Sequence, residues 1–574
     1  MSPIDWVVLF GALVFFVAYG VWRGRGEHNL THFLLAGRSL PWPMVAMSVM
    51  ATQASAITFL STPGQGFADG LRFVQFYFGL PLAMVVLCAL AVPVYHRLNV
   101  FTAYEYLETR FDGKTRTLAA TLFLVQRGLA AGLTIYAPAL VLSVVLGWDV
   151  RFTCMLLGGL VVIYTVTGGS KAVGHTHTLQ FVIIMATMVV AFAVVMGSLP
   201  RGISFGDAAN AAGHMGRFNA IDTRFDPNNR YNLWSGLIGG FFLQLSYFGT
   251  DQSQVGRYLS GQSETHSRLG LIFNGLAKVP MQFFILLLGV MVYVFYLFAP
   301  APLFFNPVEA ERLARGPQAR EYRSLEIVQR EAETERRRHL ETLLAAERAG
   351  DRAARGAAAV GLEAAQARIQ AVRDSTVGLV RAGNPGAATS DVNYVFLYFV
   401  LHQLPAGLIG LVFAAVFAAS MNSTAAELNA LTSTTVVDVI KRLPWAGVGG
   451  QHDVWISRLV TVGWAAFAVA FAGLASGLGT LVEAVNILGS LFYGTILGIF
   501  LTAFLLRRVG GTAVFVAALI AELVVVLCFR FTGISFLWYN LIGCALVMTI
   551  ALALSAAGLG RPRSDTQAMV RPAG

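Results

Sequence analysis

The chain has 574 residues, of which 56% are hydrophobic and only 13% charged, with a formal net charge of +10 and a mean hydropathy of +0.64. Soluble domains carry about a quarter charged residues, so disordered, collagenous and ordinary multi-domain soluble chains are excluded in favour of one polytopic membrane body. The basic excess lacks an aromatic-interleaved patch of the kind that binds nucleic acid, and reads instead as Lys and Arg gathered in cytoplasmic loops.

The first apolar run spans Trp6 to Trp22, with Asp5 before it and Arg23 and Arg25 after it. A cleaved leader has the opposite flanks, so this run is predicted to persist as a helix with its N-terminus outside. Further runs lie at about 44–61, 73–95, 118–146, 152–168, 178–199, 232–249, 270–298, 405–438, 455–475, 480–506, 511–531 and 536–558, about thirteen spans in all. With the N-terminus outside, every inside segment is basic. Arg38 follows the first span; then come Arg97, Arg110, Lys114 and Arg116, Lys171, and Arg257 with Arg268. Lys441, Arg442 and Arg458, then Arg507 and Arg508, then Arg561 and Arg563 complete the set. An even number of spans would put one terminal cluster on the wrong side of the membrane. The prediction is an all-α, multi-pass protein of the plasma (cytoplasmic) membrane, with its C-terminus inside.

Cys88, Cys154, Cys528 and Cys544 all lie in apolar runs without CxxC spacing, so neither a disulfide framework nor a metal site is expected. Between 304 and 391 the composition turns charged and helix-forming, with a break at Gly350-Asp351 and an end at Gly383-Asn-Pro-Gly386. This extracytoplasmic insert reads either as a solvated helical hairpin or as a contact surface for a protein partner or a second copy. Long loops translocate regardless of charge, so its arginines leave the topology intact.

Two spans are polar or broken at mid-depth. The second carries Met50-Ala-Thr-Gln-Ala-Ser-Ala-Ile-Thr-Phe59, and the ninth Phe417-Ala-Ala-Ser-Met-Asn-Ser-Thr-Ala-Ala-Glu427. Such patterns serve close helix packing, or they converge oxygens on a dehydrated cation and a solute. Intramembrane charges are costly and so draw attention. Lys278 and Glu427 are possible charge partners; alternatively Lys278 faces a cavity or snorkels to the cytoplasmic entrance. Asp438 reads as span-terminal, while Glu483 and Glu522 have no evident partner. His175-Thr-His177 falls in a predicted cytoplasmic loop with no third ligand, and no nucleophile–base constellation indicates an enzyme.

Five stretches together resemble the sodium/solute symporter family over the whole chain outside the insert. They are Gly37-Arg-Ser-Leu40, Tyr104 to Phe111, Gly168-Gly-Ser-Lys-Ala-Val173 leading to Leu179-Gln180, Asp251 to Tyr258, and Gly410 through Asp438. Tyr136-Ala-Pro-Ala-Leu140 and Tyr104 to Phe111 are most similar to the branch carrying iodide, vitamins and monocarboxylates. The resemblance implies the leucine-transporter-type fold, a 5+5 inverted repeat with one extra N-terminal and two C-terminal helices. On that plan, 1–43 is the N-terminal helix and loop, 44–199 the first repeat, 200–303 the start of the second, 304–391 the insert, 392–508 the rest of the second repeat, and 509–574 the C-terminal helices and tail.

The resemblance further implies a Na+ coupling ion, with no organic cofactor, held by carbonyls of Ala51, Ala54 and Ala419 and the side chains of Asn422 and Ser423. Asn422 departs from the Ser or Thr of most relatives, and Ala425 and Ala426 stand where a second sodium would need hydroxyls. One sodium per cycle is expected. For the solute, matching positions are Gln53, Thr58, Tyr77 and Asp251, with Gln75, Gln244, Tyr247 and Asn486 as further candidates. Sugar-carrying members place charged or amide groups where this chain has Ile57, Thr58, Tyr77 and Leu80. The expected function is sodium-coupled symport of a small organic solute, such as a monocarboxylate or a vitamin-like acid. The rivals are a receptor or scaffold with a transporter-like body, and a proton-coupled carrier using Glu427 or Asp251.

Overall fold

A computed structural model of the chain describes residues 1–23, 34–385, 389–442, 451–474 and 480–559. Arg25, Arg561 and Arg563 lie outside the described residues, as do the side chains of Lys171, His175 and the Gly168–Val173 motif. Apart from one isolated bridge between Leu40 and Gly261, the regular structure among the described residues is helical.

Helix α1 (Pro3–Arg23) is followed by α2 (Trp42–Gln53) and α3 (Ala56–Asp69), which are halves of one broken span. Next come α4 (Leu80–Leu98), the short α5 (Ala103–Arg110), α6 (Gly113–Leu146) and α7 (Val150–Gly197). After α8 (Phe205–His214), a second broken span is made of α9 (Gly240–Thr250) and α10 (Gln252–Leu259), and α11 (Glu264–Phe298) leads to the insert. The insert holds α12 (Pro307–Arg315), α13 (Ala319–Ala349) and α14 (Arg352–Gly383). Then follow α15 (Val392–Gln403), α16 (Leu408–Thr434), α17 (Gln451–Ala472), α18 (Leu481–Leu505), α19 (Gly511–Phe531) and α20 (Phe536–Ala556).

Ten stretches among the described residues are long and apolar enough to cross a membrane. One of them, Ala56–Leu98, joins the second half of one predicted span to the next. The broken pairs α2–α3 and α9–α10 and the shorter Val150–Ile163 account for the predicted spans that this length test passes over. The sequence predicts a loop between runs 152–168 and 178–199, whereas the structure carries both on the single helical element α7. No Pro interrupts that stretch, and its glycines alone do not force an end.

The axis of the molecule is α16, buried along nearly its whole length. It packs against α1, α6 and α7 and against both halves α2 and α3. Its N-terminus, which would otherwise leave N–H groups without partners in lipid, is capped from another helix: Asp5 Oδ1 of α1 accepts from Gly407 N at 2.6 Å and Gly410 N at 3.1 Å. Small residues set the close approaches. A Cβ on Gly289 of α11 would sit 1.9 Å from the Pro63 carbonyl of α3, and one on Gly66 would sit 2.4 Å from the Leu286 carbonyl.

In the insert, Gly350 ends α13 at φ +73° and Asp351 caps α14 through the N–H groups of Ala353 and Ala354 at 3.0 Å. The hairpin folds back onto the membrane body. Arg336 donates to the Tyr296 carbonyl at 2.7 Å and Arg337 to the Phe298 carbonyl at 3.2 Å, which satisfies carbonyls at the C-terminal end of α11.

Candidate functional site

The two breaks differ from the expected pair. The first lies where expected: α2 ends at Gln53, Ala54 takes φ −87°, ψ 70°, and α3 restarts after Ser55. Side chains satisfy the freed carbonyls. Ser423 Oγ of α16 donates to the Thr52 carbonyl at 3.0 Å, and Thr58 Oγ1 reaches back to the Gln53 carbonyl at 3.4 Å. The ninth predicted span, by contrast, is not broken: α16 runs continuously through Phe417–Glu427. Its alanines favour helix, and two of its hydroxyls bond carbonyls of neighbouring helices, Ser420 Oγ to Thr134 O and Ser423 Oγ to Thr52 O, both at 3.0 Å.

The second break stands at Asp251, which the sequence places near the end of the seventh span. The span continues beyond it as α10, buried throughout. Asp251 is the hinge residue: its Oδ1 accepts from Ser253 N at 2.9 Å and Ser253 Oγ at 2.7 Å, capping α10. The last carbonyls of α9 are met by two tyrosines, Tyr95 on Gly249 O and Tyr104 on Thr250 O, both at 2.8 Å. Unwound backbone is thus tolerated at this depth because protein groups take the freed Gly249 and Thr250 carbonyls and the Ser253 N–H.

Between the breaks lies a cavity of about 100 Å³, lined from α2, α3, α6, α9, α16 and α18. Gln53, Thr58, Tyr77, Gln244, Tyr247 and Asn486 all face it, as does Ser423. Gln53 Oε1 and Gln244 Oε1 are buried without a partner. Tyr77 OH accepts from Gln282 Nε2 at 2.8 Å and Tyr247 OH from Gln254 Nε2 at 2.7 Å. Gln75 is not among the lining residues. It ties down the loop before α9 instead, donating to the Tyr231 carbonyl at 3.1 Å and accepting from Asp222 N at 3.1 Å.

At the proposed cation positions, Ala51, Ala419, Asn422 and Ser423 are all buried, with Ala54 at the break itself. Neither amide atom of Asn422 has a hydrogen-bond partner among the described residues. A fully buried amide with no partner is costly unless a ligand completes it. The carbonyl-rich, hydroxyl-bearing surroundings have the hard-oxygen character that suits a small monovalent or divalent cation.

The sequence reading passed over the strongest charge in the site. Arg127 of α6 is 3% exposed and lines the cavity. Its guanidinium pairs with Glu427 at 3.0 Å and with Asp251, whose second oxygen also accepts from Tyr493 OH at 2.8 Å. It stands 5.4 Å from the centre of the Tyr247 ring. Asp251 therefore sits behind Arg127 instead of lining the cavity. The signal was Gln126-Arg127 inside the otherwise apolar 118–146 run.

Glu427 takes Arg127 and not Lys278, because α6 lies against α16 and a guanidinium offers it a fixed fork. Lys278 is fully buried behind Tyr77, 5.8 Å from that ring, and its Nζ has no hydrogen-bond partner; it neither faces the cavity nor snorkels. Glu483 has partners after all, Arg230 at 2.8 Å and Tyr231 OH at 2.7 Å. His177, expected in a solvated loop, is fully buried in α7 with Nδ1 3.2 Å from Ser48 Oγ of α2. The continuous helix leaves no loop to hold it.

With this geometry in hand, comparison with known proteins is informative. The sodium:solute symporter family model matches residues 33–321. The human (Homo sapiens) sodium/iodide cotransporter is 31% identical over 297 residues, covering 51% of this chain and 45% of that protein. The sodium-coupled monocarboxylate transporter 1 of Mus musculus is 36% identical over 278 residues, covering 47% and 44%. In these alignments the chain spans less than half the length of those relatives. A structure of a Na+-coupled sialic acid symporter in its substrate-bound outward-open state superimposes with a TM-score of 0.74 at 20% identity, covering 98% of this chain and 99% of that one. At that identity the likeness speaks for the fold alone, a leucine-transporter-type arrangement.

Proposed function

Because the chain belongs to the sodium:solute symporter family, we propose that it is a multi-pass membrane carrier that couples entry of sodium to import of a small organic solute by alternating access. The observation that carries this reading is the apposition of the α2–α3 break to Ser423 of the central helix, 3.0 Å apart, on the wall of the central cavity. Sodium, as one of the two transported species, would be taken by carbonyls of Ala51, Ala54 and Ala419 with the oxygens of Asn422 and Ser423. It must bind one conformation better than the other, since only such a difference couples ion and solute. A membrane potential then supplies ~2.3 kcal/mol per charge per 100 mV.

The solute belongs in the adjacent cavity, whose size suits a compact molecule. A short monocarboxylate would be taken by the Nε–H of Arg127, which has no partner among the described residues, beside the Glu427 held on the same guanidinium. One oxygen of Glu427 is also unpartnered, which favours a second reading in which the solute carries an ammonium group. Uptake by the purified chain in proteoliposomes decides the matter. An inward sodium gradient should drive accumulation that potassium does not, and propionate and ethylamine separate the two solute classes by competition. Uptake driven by a proton gradient in sodium-free medium would overturn sodium coupling.

A further inference from the structure

A second cavity, of about 380 Å³, lies between the insert hairpin and the membrane body, and it shares no lining residue with the first. Its floor is the end of α3 and the end of α11; its roof is α13 and α14.

Its walls carry hydrogen-bonding capacity that the protein leaves unused. Arg217 and Arg336 both face it, and the Nε–H of each is buried without a partner. The hydrogen bonds these guanidiniums do make go to neutral oxygens: Arg336 to the Tyr296 carbonyl at 2.7 Å and Gln366 Oε1 at 3.2 Å, and Arg217 to the Ala68 carbonyl. The hydroxyls of Tyr293 and Tyr296, 5% and 3% exposed, are also unpartnered. The Arg217 guanidinium lies 4.5 Å over the Tyr293 ring, so an aromatic wall stands beside the charge.

Three carboxylates share the cavity, and none is joined to Arg217 or Arg336 by an ion pair among the described residues. Asp391 is spent on Arg373 at 2.8 Å and on Phe305 N at 2.8 Å. Glu333 accepts from Gln329 at 2.9 Å and Ala301 N at 3.3 Å, and Asp69 accepts from Gln65. A buried carboxyl group can take up a proton to escape the cost of burial, whereas a guanidinium cannot shed one. Asp69 and Glu333 feel the charges of Arg217 and Arg336 without forming an ion pair with them, so what is left unspent is four unshared donors and an aromatic face beside two permanent cations.

We propose that this cavity is a second binding site, for a small organic carboxylate with an apolar body, clamped between the insert and the membrane helices. The carboxylate takes the Nε–H groups of Arg217 and Arg336 and the Tyr293 hydroxyl, and the body lies against the Tyr293 ring. Since the roof is α13–α14 and the floor α3–α11, occupancy fastens the hairpin to the body.

Benzoate is the probe, measured by equilibrium dialysis on the purified full-length chain in sodium-free buffer. Saturable binding is expected, and it should persist in Gln244→Leu, which takes an amide from the wall of the central cavity. Arg336→Gln should weaken it at least tenfold. Because Arg336 also holds Tyr296, that variant could loosen the hairpin. Tyr293→Phe removes only a hydroxyl and should weaken binding severalfold with an unchanged melting temperature in the absence of benzoate. Propionate should displace benzoate where an equal concentration of chloride does not. Loss of binding in Gln244→Leu with full retention in Arg336→Gln and Tyr293→Phe would overturn the proposal. So would the absence of saturable binding, or chloride displacing benzoate as well as propionate does.

Discussion

An arginine closed off from water keeps its charge, so its neighbours must answer it. Arg127 is answered by Asp251 and Glu427 together, and each of those carboxylates would be stranded without it. Breaking such a buried set from one side costs about 3–5 kcal/mol, far more than the net worth of the intact set. Arg127→Gln should therefore lower the melting temperature sharply. The triple variant Arg127→Gln, Asp251→Asn, Glu427→Gln should recover most of the loss while remaining inactive in uptake. If the single variant melts like the parent, the cluster is not what holds α6, α10 and α16 together. At the ion positions the energies are smaller. Ser423→Ala removes one oxygen, about 1–1.5 kcal/mol, so the half-saturating sodium concentration should rise on the order of tenfold. Asn422→Ser should keep sodium-dependent uptake, because a hydroxyl can replace the amide oxygen. The residues around the first break were legible because hydroxyls and amides inside an apolar run have few other uses. Arg127 was not, because one charge among the many apolar residues of 118–146 scarcely disturbs the hydropathy that marks a span.

Elements were legible wherever apolar length alone decides them, as in α11, α18, α19 and α20. Breaks were harder, because a break is fixed by what lies opposite. The carbonyls freed at Asp251 are satisfied by Tyr95 and Tyr104, which are far away in sequence, so local pattern reads that aspartate as a span end. The same reason made α16 look broken: its small polar residues describe the surfaces packed around it and say nothing about its own hydrogen bonds. Helix contacts yield a further test. Gly289 lets α11 lie on the Pro63 carbonyl of α3, and a methyl group there would sit 1.9 Å from that oxygen. Backbone cannot yield as a flexible side chain can, so Gly289→Ala should cost about 1–3 kcal/mol, typical of overpacking. The measurement is a thermal melt in detergent, with Gly159→Ala, where a methyl group meets nothing within 4 Å, as the comparison. Equal melting temperatures would mean that the two helices can separate freely.

At the scale of the whole molecule, the charges sort to two ends. One end gathers the start of α6, the tail of α16 and the loops beside α18 and α19, where Arg116 meets Glu108 and Asp438, Lys441 meets Asp453 at 2.8 Å, and Arg110 caps the Leu506 carbonyl at 2.9 Å. The other end carries the insert, pinned by Arg348 on Asp207 at 2.7 Å and His214 on Glu347 at 2.6 Å. The Arg348 partner holds the Asp207 carboxyl well below the usual carboxylate range. Lys and Arg in short loops stay on the cytoplasmic side, whereas a long charged insert crosses regardless, so the first end should face the cytoplasm and the hairpin the outside. Right-side-out membrane vesicles carrying a C-terminal tag test this directly. Trypsin should cut at exposed arginines of the hairpin, such as Arg355, and leave the tag on a protected fragment. In inverted vesicles the tag should be lost and the hairpin spared. The opposite pattern would place the insert inside, and sodium bound between the breaks would then enter from the end that this reading assigns to the cytoplasm.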